Sequence, residues 1–235
     1  MENKYREEGA SVAGFVLLER GRAKRAVDLL ENEYKDSKYY LNFKTPIDLL
    51  VAAILSAQTR DEVTNSVTPE LFRRYKTARD YANAKPEELT KLISRVTFFG
   101  NKTKSIINAC RIIEERHGGK VPNKMDELLE LPGVGRKTAN TILINAYGIV
   151  EGIPVDTWVI KLSGRIGLSK EKDPDKIESE LESYVDRKYW KNITYVMKNH
   201  GKKICQSQVP ICSQCLIGPG SKNPICPQNG VKASK

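Results

Sequence analysis

The decisive stretch of this chain is ELLELPGVGRKTANTILIN, residues 127–145. A short amphipathic run ends at Leu131, a Pro-Gly pair interrupts it, and the chain turns at Gly135 into a second helix. Gly133 and Gly135 permit positive φ angles and expose backbone N–H groups, and the helix start adds unpaired donors and the positive end of its dipole. The sequence therefore predicts a helix, a hairpin turn and a helix, with a turn that suits an anion such as phosphate.

Lys137 falls in the first turn of the second helix, on the side away from its apolar stripe. A phosphate-contacting or solvated lysine is the simpler interpretation, and a lone Gly-x-Gly turn is weak support for any ligand. A nucleophilic lysine is the alternative, and it must first lose its proton. The helix start, the neighbouring charge of Arg136 and burial beneath a bound ligand would each lower the pKa of Lys137. The residues alone leave both alternatives open.

The 235 residues are 40% apolar and 29% charged, enough to bury one large core or two modest ones. A net charge of +10 favours a polyanionic partner, above all nucleic acid, although ribosome association, a membrane surface or plain solubility would fit the charge as well. The N-terminal stretch MENKYREEGASVAGFVLLERG lacks the pattern of a signal peptide, and the longest apolar run, Leu49–Leu55, is too short to span a bilayer. We therefore expect an intracellular protein with reduced cysteines.

Helical periodicity recurs along most of the chain, and strand signals are scarce. Thr45, Pro46 and Asp48 form an N-cap, a first-turn proline and a partial capping box at the start of a largely apolar, central helix. The run Arg95–Phe99 is too short and isolated to build a sheet. We expect an all-α fold with a frayed start, a flexible loop at Gly218–Pro224 and a frayed C-terminal end. The predicted helices cover residues 22–36, 46–56, 61–75, 86–93, 103–117, 125–131, 156–166, one that begins at 173–174, and 190–200.

Four of the five cysteines cluster near the C-terminus, with six, two and ten residues between successive members. Clustered thiols in a reducing compartment indicate a metal site, here formed by Cys205, Cys212, Cys215 and Cys226. Tetrahedral zinc usually takes two close cysteine pairs, whereas a four-iron cluster accepts wider spacing, so both remain alternatives. The fifth, Cys110, lies on an apolar helical stripe and is expected to be a buried core thiol.

The segment LPGVGRKTA resembles the helix-hairpin-helix signature of the endonuclease III family of DNA glycosylases. The resemblance implies that Lys137 is the catalytic amine. It also implies that Asp156, in PVDTWV, is the essential carboxylate that follows the lysine, although an isolated aspartate there would by default be a helix N-cap. Trp158 stands where the family commonly has a histidine, which changes the packing behind the carboxylate.

Two further segments resemble parts of the family that enter an opened duplex. In ILSAQT, Gln58 matches the glutamine that fills the gap left by an extruded nucleotide, since an amide can pair with the edge of an orphaned base. In TFFGNKTKSI, Phe98 or Phe99 matches an apolar wedge, with Thr97 where the family often has a glycine. A solvated glutamine and core phenylalanines are the alternatives.

The cysteine tail resembles the family pattern C-x6-C-x2-C-x5-C, which implies iron rather than zinc. This chain keeps the first two spacings and extends the last to ten residues, so Cys226 is the ligand most affected by the departure. The first inter-cysteine loop, residues 206–211, lacks the basic residues that the family often has there, and Lys202, Lys203 and Lys222 are candidates to replace them.

The resembling segments run from Thr45 to Cys226 in the family's order, which implies two α-helical domains. A helical bundle over residues 39–149 would hold the hairpin, and an iron–sulfur domain would combine residues 1–38 with 150–235. Lys137 and Asp156 would face each other across a cleft that accepts a nucleotide swung out of the duplex. DNA contacts are expected at Gln58, Phe98, Leu131, Gly133, Gly135 and Arg136.

The function implied is that of a bifunctional glycosylase and abasic-site lyase, which excises oxidised pyrimidines and cuts the strand by β-elimination through a lysine Schiff base. The expected cofactor is a 4Fe–4S cluster, with zinc as the alternative, and the expected partner is double-stranded DNA. We expect a monomer without membrane contact, in the cytoplasm and associated with the nucleoid if the source is prokaryotic. The rivals are a monofunctional thymine or adenine mismatch glycosylase, which usually has Tyr or Ser in place of Lys137, and a non-catalytic DNA-binding protein.

Overall fold

The structure of the protein, a computed structural model, describes residues 17–235. The described chain is all-helical and contains no β-strand, as the sequence predicted. The expectations of a frayed start and of no signal peptide fall largely on residues 1–16, outside the described part. The α-helices are α1 Arg20–Glu33, α2 Pro46–Ser56, α3 Asp61–Arg74, α4 Ala78–Ala82, α5 Pro86–Leu92, α6 Phe99–His117, α7 Met125–Leu129, α8 Arg136–Ile142, α9 Thr157–Ile166, α10 Pro174–Glu182, α11 Arg187–Trp190 and α12 Ile193–Lys203.

The chain divides into two compact units. One unit is Tyr39–Pro154, and the other combines residues 17–38 with Val155–Lys235. The chain passes from one unit to the other after Lys38 and again after Pro154. The domains expected from the resemblance, residues 39–149 and residues 1–38 with 150–235, stay a prediction.

The Tyr39–Pro154 unit is built around α2, which packs against α3, α6 and α8. The helix is apolar on nearly every face, and its residues from 47 to 55 are all buried, which is typical of a helix at the centre of a core. Its start is held by a complete capping box. The Thr45 hydroxyl accepts a hydrogen bond from the Asp48 N–H at 3.2 Å, and the Asp48 carboxylate accepts one from the Thr45 N–H at 3.1 Å.

The second unit packs α9 against α12 and α10, and α12 also contacts α1 and α11. The helices bury apolar stripes at helical spacing, which explains why amphipathic segments so far apart in sequence form one core. The fully buried members are Val27, Leu30, Val159, Leu162, Ile166, Ile177, Leu181, Ile193, Val196 and Met197.

Several boundaries differ from the predicted ones. Helix α6 begins at Phe99 rather than at Thr103, and the short helix α4 was not predicted. Helix α8 continues as a π-helical turn, Leu143–Tyr147, which no periodicity signal distinguishes from an α-helix. The predicted fraying of the C-terminal end is wrong, because Lys235 exchanges backbone hydrogen bonds with Pro210 and Ser213, both at 2.9 Å.

No helix within residues 17–235 is both long enough and apolar enough to cross a membrane.

Candidate functional site

The hairpin connects α7 to α8 through a turn with two different glycines. Gly133 has a φ of +85°, and a Cβ on it would lie 3.0 Å from the Cβ of Ser105. Gly135 is the N-cap of α8 with a φ of −103°, and a Cβ there would meet nothing within 4 Å. Positive φ was predicted to be useful at both glycines, and this prediction is wrong for Gly135. The fold thus requires glycine at residue 133, because of its positive φ and the nearby Ser105. Glycine at residue 135 is not required by packing, and it leaves open space at an exposed helix start.

Two apolar side chains anchor this turn. Leu131 is 2% exposed and Val134 is 7% exposed, and both belong to the core cluster. The backbone N–H of Val134 donates to the Leu131 carbonyl at 3.0 Å, which closes the turn. The side chain of Leu131 is therefore occupied by core packing, and the DNA contact predicted for Leu131 stays a prediction for its backbone alone. Gly133 and Gly135 are exposed beside it.

Lys137 lies in the first turn of α8 and is partly buried. Among residues 17–235, its Nζ atom has neither a hydrogen-bond nor an ion-pair partner. Its backbone carbonyl accepts a hydrogen bond from the Thr141 hydroxyl at 2.8 Å, one turn further along α8. The amine is thus placed on a fixed helical turn and is not neutralised by a carboxylate. Neighbouring Arg136 is exposed on the same turn.

Asp156 is the N-cap of α9. Its Oδ1 atom accepts hydrogen bonds from the N–H groups of Trp158 at 2.8 Å and Val159 at 2.9 Å. Its other oxygen, Oδ2, accepts none within the described chain. One oxygen therefore performs the capping role that the sequence alone suggested, and the second is available for other chemistry.

Gln58 and Phe98 share an uncommon backbone conformation. Both are non-glycine residues in the left-handed region, with φ values of 53° and 56°. Gln58 is exposed just beyond the end of α2, and Phe98 is 59% exposed just before α6. Phe99 is 41% exposed as well, so the core-packing alternative for the two phenylalanines is not what the structure has.

The four C-terminal cysteines line one cavity, together with His200 and Arg165. No disulfide joins them. The long Cys215–Cys226 loop does not displace Cys226 from this cavity, because the loop closes on itself. The Ile217 carbonyl accepts hydrogen bonds from the N–H groups of Ile225 at 3.1 Å and Cys226 at 2.8 Å. These bonds join the two ends of the loop that holds the additional residues. Residues Gly218–Pro224 make further backbone hydrogen bonds within this loop.

Cys205, Cys215 and Cys226 have raised pKa values for a shared reason. Burial raises the pKa of Cys205 and Cys215, and it raises the pKa of Cys226 to about 12. Negative charge on the neighbouring cysteines raises all three further. A cationic group bound among these sulfurs would offset both effects.

His200 and Arg165 contact this thiol cluster, and the sequence analysis missed both contacts. Burial lowers the pKa of His200 to about 4, so its ring is neutral near pH 7. Its Nδ1 lies 3.2 Å from the Tyr34 hydroxyl and its Nε2 lies 3.6 Å from the Cys215 Sγ. Arg165 donates to the carbonyls of Cys205 and Gln206 at 3.2 and 2.6 Å. No motif signals these contacts, because they join segments that are distant in sequence.

Four cysteines line this shared cavity, and four thiols are a donor set that both structural zinc and iron–sulfur clusters use. Within residues 17–235, no group of three or more His, Cys, Asp or Glu side chains is arranged to hold a metal ion.

The hairpin within an all-helical fold defines the class of the protein. A family model described as "HhH-GPD superfamily base excision DNA repair protein" matches residues 51–187, more than half of the chain. An endonuclease III of Synechocystis sp. is 44% identical over 196 residues, which cover 83% of this chain and 90% of that protein. The chain belongs to the endonuclease III family, which confirms the resemblance found in the sequence.

Two solved structures agree with this assignment. A trapped covalent intermediate of an endonuclease III with DNA is 34% identical and has a TM-score of 0.81, and it covers 85% of this chain and 93% of the other. A non-covalent endonuclease III–DNA complex is 32% identical with a TM-score of 0.83, covering 89% and 96%.

Proposed function

We propose that this protein is a bifunctional DNA glycosylase and abasic-site lyase, which excises oxidised pyrimidines from duplex DNA and then cuts the strand. The observation that carries the proposal is the partly buried amine of Lys137, which has no hydrogen-bond or ion-pair partner in residues 17–235 and follows the open turn at Gly135. Membership in the endonuclease III family and the likeness to a trapped covalent protein–DNA intermediate support it.

The hairpin is the proposed phosphate-binding element. The Ala139 N–H is the first in α8 to bond back into the helix, to the Gly135 carbonyl at 2.9 Å, so the amides before it have no intrahelical acceptor. The helix dipole adds positive potential at this end, and the open space at Gly135 permits close approach of a phosphate. Exposed Arg136 and the net charge of +10 add attraction for the polyanion.

Gln58 and Phe98 are the proposed insertion residues. Both side chains are exposed at loop positions, as a group that must enter the base stack needs to be. The amide of Gln58 can pair with the edge of the orphaned base, and the ring of Phe98 can replace the stacking of the extruded nucleotide. Extrusion exposes the sugar carbon C1′ to the enzyme.

Lys137 is the proposed nucleophile. Its neutral amine attacks C1′, the C1′–N bond to the base breaks, and the base leaves with the bonding electrons and takes up a proton. The C1′–O4′ bond then breaks as the lysine nitrogen forms a C=N bond to C1′, and O4′ takes up a proton, which gives the Schiff base. Loss of a proton from C2′ then allows β-elimination, in which the C3′–O bond to the 3′ phosphate breaks and the strand is cut 3′ to the abasic site. The free oxygen of Asp156 is proposed to stabilise positive charge at the sugar and to assist proton transfer.

The proposed cofactor is a 4Fe–4S cluster held by Cys205, Cys212, Cys215 and Cys226. The cavity that the four thiols share supports this donor set. Bound there, the cluster would cross-link the C-terminal tail to the end of α12, and no step at the sugar is assigned to it. A monomeric state and an intracellular location stay predictions of the sequence.

Borohydride trapping on duplex DNA with one oxidised pyrimidine tests the nucleophile. We expect a covalent protein–DNA adduct with the unaltered protein and none with Lys137→Gln, whereas Lys120→Gln removes a remote, exposed lysine and should trap normally. Retention of the adduct by Lys137→Gln would reject the assignment. Release of the base by the unaltered protein without any adduct would favour a monofunctional glycosylase, and binding without base release or nicking would favour a non-catalytic DNA-binding protein.

Iron content and visible absorption test the cofactor. Cys226→Ala should lose most of the iron and of the visible absorption, whereas Cys110→Ala, at the buried core thiol of the other unit, should keep both. A colourless unaltered protein that contains one zinc per chain would overturn the cluster in favour of zinc.

A further inference from the structure

The ammonium group of Lys102 is buried beneath the two loops that carry the insertion residues. Lys102 lies in the first turn of α6 and is 6% exposed. Its Nζ donates three hydrogen bonds, to the carbonyls of Leu55 at 2.7 Å and Ala57 at 2.6 Å and to the Thr59 hydroxyl at 2.9 Å. The three donors of one ammonium are thereby all used inside the protein, which leaves none for a phosphate.

These acceptors bracket Gln58. Ala57 and Thr59 are its immediate neighbours, and the Leu55 carbonyl belongs to the last turn of α2, where carbonyls have no intrahelical partner. Lys102 thus supplies the donors that the end of α2 needs and holds the chain on both sides of Gln58. Burial lowers the pKa of Lys102 to about 8, so forming this arrangement costs solvation that the three hydrogen bonds must offset.

The same network reaches Phe98. The Thr59 hydroxyl also accepts a hydrogen bond at 3.1 Å from the N–H of Thr97, the residue before Phe98. On the other side of Phe98, the Lys102 N–H donates to the Phe98 carbonyl at 3.1 Å. Thr59 and Lys102 therefore connect the two loops directly, and each loop contains one residue in the left-handed region.

Left-handed backbone at a non-glycine residue is unfavourable and persists only where the surroundings enforce it. Gln58 and Phe98 are exposed, so packing of their own side chains does little to enforce their left-handed backbone conformation. The hydrogen bonds of Lys102 and Thr59 restrain both loops at once. A group held in the conformation that it needs for binding loses less entropy when it binds.

We propose that Lys102 is a positioning residue that locks the Gln58 and Phe98 loops into one preformed unit for insertion into opened duplex DNA. The inference rests on the proposed function, since it assigns these two residues to insertion. It predicts selective loss of binding to a duplex that contains a gap in the stack, with little loss of binding to intact duplex, because backbone phosphate contacts do not involve Lys102.

Binding measurements with matched duplexes test the proposal. One duplex carries a tetrahydrofuran abasic-site analogue opposite 2-aminopurine, and the other is the intact duplex of the same sequence. For Lys102→Met we expect the affinity for the abasic analogue to fall at least about tenfold while that for intact duplex changes by less than about threefold. The change in 2-aminopurine fluorescence on binding should also shrink. Lys120→Met removes the same charge beyond the far end of α6 and should behave as the unaltered protein.

Two substitutions at Thr59 separate positioning from folding. Thr59→Val removes the shared acceptor but leaves Lys102 in place, and Thr59→Ser keeps the hydroxyl. Thr59→Val should lose affinity for the abasic analogue selectively, as Lys102→Met does, and Thr59→Ser should keep the preference for that analogue. All variants are compared below their unfolding temperatures. The proposal would be overturned if the variants lost affinity equally for both duplexes. It would also be overturned if Lys102→Met and Thr59→Val both kept the full preference of the unaltered protein for the abasic analogue.

The binding ratio requires no turnover, so this test is separable from that of the catalytic assignment. If the unaltered protein prefers the abasic analogue but forms no borohydride adduct, the lyase assignment is rejected. The role of Lys102 is then still decided by the binding ratios of the Lys102 and Thr59 variants. An unaltered protein with no preference for the analogue would overturn the role of Lys102.

Discussion

The indole ring of Trp158 packs so closely on Gly201 that a Cβ atom at residue 201 would lie 2.2 Å from Cε3 of the ring. This contact joins the first turn of α9 to the C-terminal half of α12. It also explains how the chain accommodates tryptophan two residues after the capping Asp156, where the family commonly has histidine. The large ring requires the absence of a side chain on the facing helix.

Gly201→Ala should therefore destabilise the protein, although alanine is the better helix former by up to about 1 kcal/mol. Overpacking of this kind typically costs about 1–3 kcal/mol, and urea unfolding measures it. Gly21→Ala, in α1, adds the same methyl group where nothing lies within 4 Å and should be neutral or stabilising. The double variant Gly201→Ala with Trp158→His should regain most of the stability that Gly201→Ala loses. A stable Gly201→Ala single variant would contradict the packing argument.

One carboxylate oxygen of Asp156 caps α9, and the other accepts no hydrogen bond within residues 17–235. Two substitutions separate the capping role from the proposed catalytic role. Asn keeps a side-chain oxygen for the cap, so Asp156→Asn should unfold at nearly the same urea concentration as the unaltered protein. Asp156→Ala loses the cap and should be less stable by about 1 kcal/mol. Both should lose base excision, measured as single-turnover release of an oxidised pyrimidine. Full excision activity in Asp156→Asn would show that the carboxylate is a cap alone.

The two hairpin glycines should respond differently to alanine. Gly133→Ala forces a side chain into the left-handed region and against Ser105, so we expect a stability loss on the order of 1–3 kcal/mol. Gly135→Ala has an ordinary φ and open space, so it should fold normally. It should nevertheless weaken binding to intact duplex, because a methyl group would obstruct the phosphate. Unchanged duplex affinity in a stable Gly135→Ala protein would rule out close phosphate approach at this turn.

Glu31 should make stability depend on pH. It lies in α1, is 7% exposed, and its Oε1 has no hydrogen-bond partner. Burial and the charge of Asp28 raise its pKa from 4.5 to about 7, so the folded state holds a proton that the unfolded state releases between these values. The free energy of unfolding should accordingly fall as the pH rises from about 4.5 to 7, by on the order of 3 kcal/mol at about 1.4 kcal/mol per pKa unit.

Urea unfolding between pH 5 and pH 8 checks this expectation. Glu31→Gln should lose this part of the pH dependence and should be more stable than the unaltered protein at pH 8. Glu33→Gln, at an exposed position of the same helix, should keep it. Parallel pH profiles for the unaltered protein and Glu31→Gln would show that Glu31 titrates normally.

Much of the fold followed from local signals. The limits of α2 were predicted correctly because a threonine cap, a first-turn proline and an acidic third position act within a few residues. The start of α6 was predicted four residues late. Its N-cap, Phe98, has a left-handed φ of 56° and makes no side-chain capping bond, so the usual start signal is missing. The ordered C-terminal end was also missed, because its hydrogen bonds are made to Pro210 and Ser213, distant in sequence.

The sequence by itself determined the helical class and the hairpin and supplied the candidate reactive groups, since periodicity, glycine spacing and side-chain chemistry are properties of short segments. Only the tertiary structure decided which of these groups are free to act. It buried Leu131 and Cys110, exposed Gln58 and Phe98, and gathered four cysteines around one cavity despite the longer loop. It also revealed the buried ammonium of Lys102, because burial and hydrogen bonding depend on residues that the chain brings together only on folding.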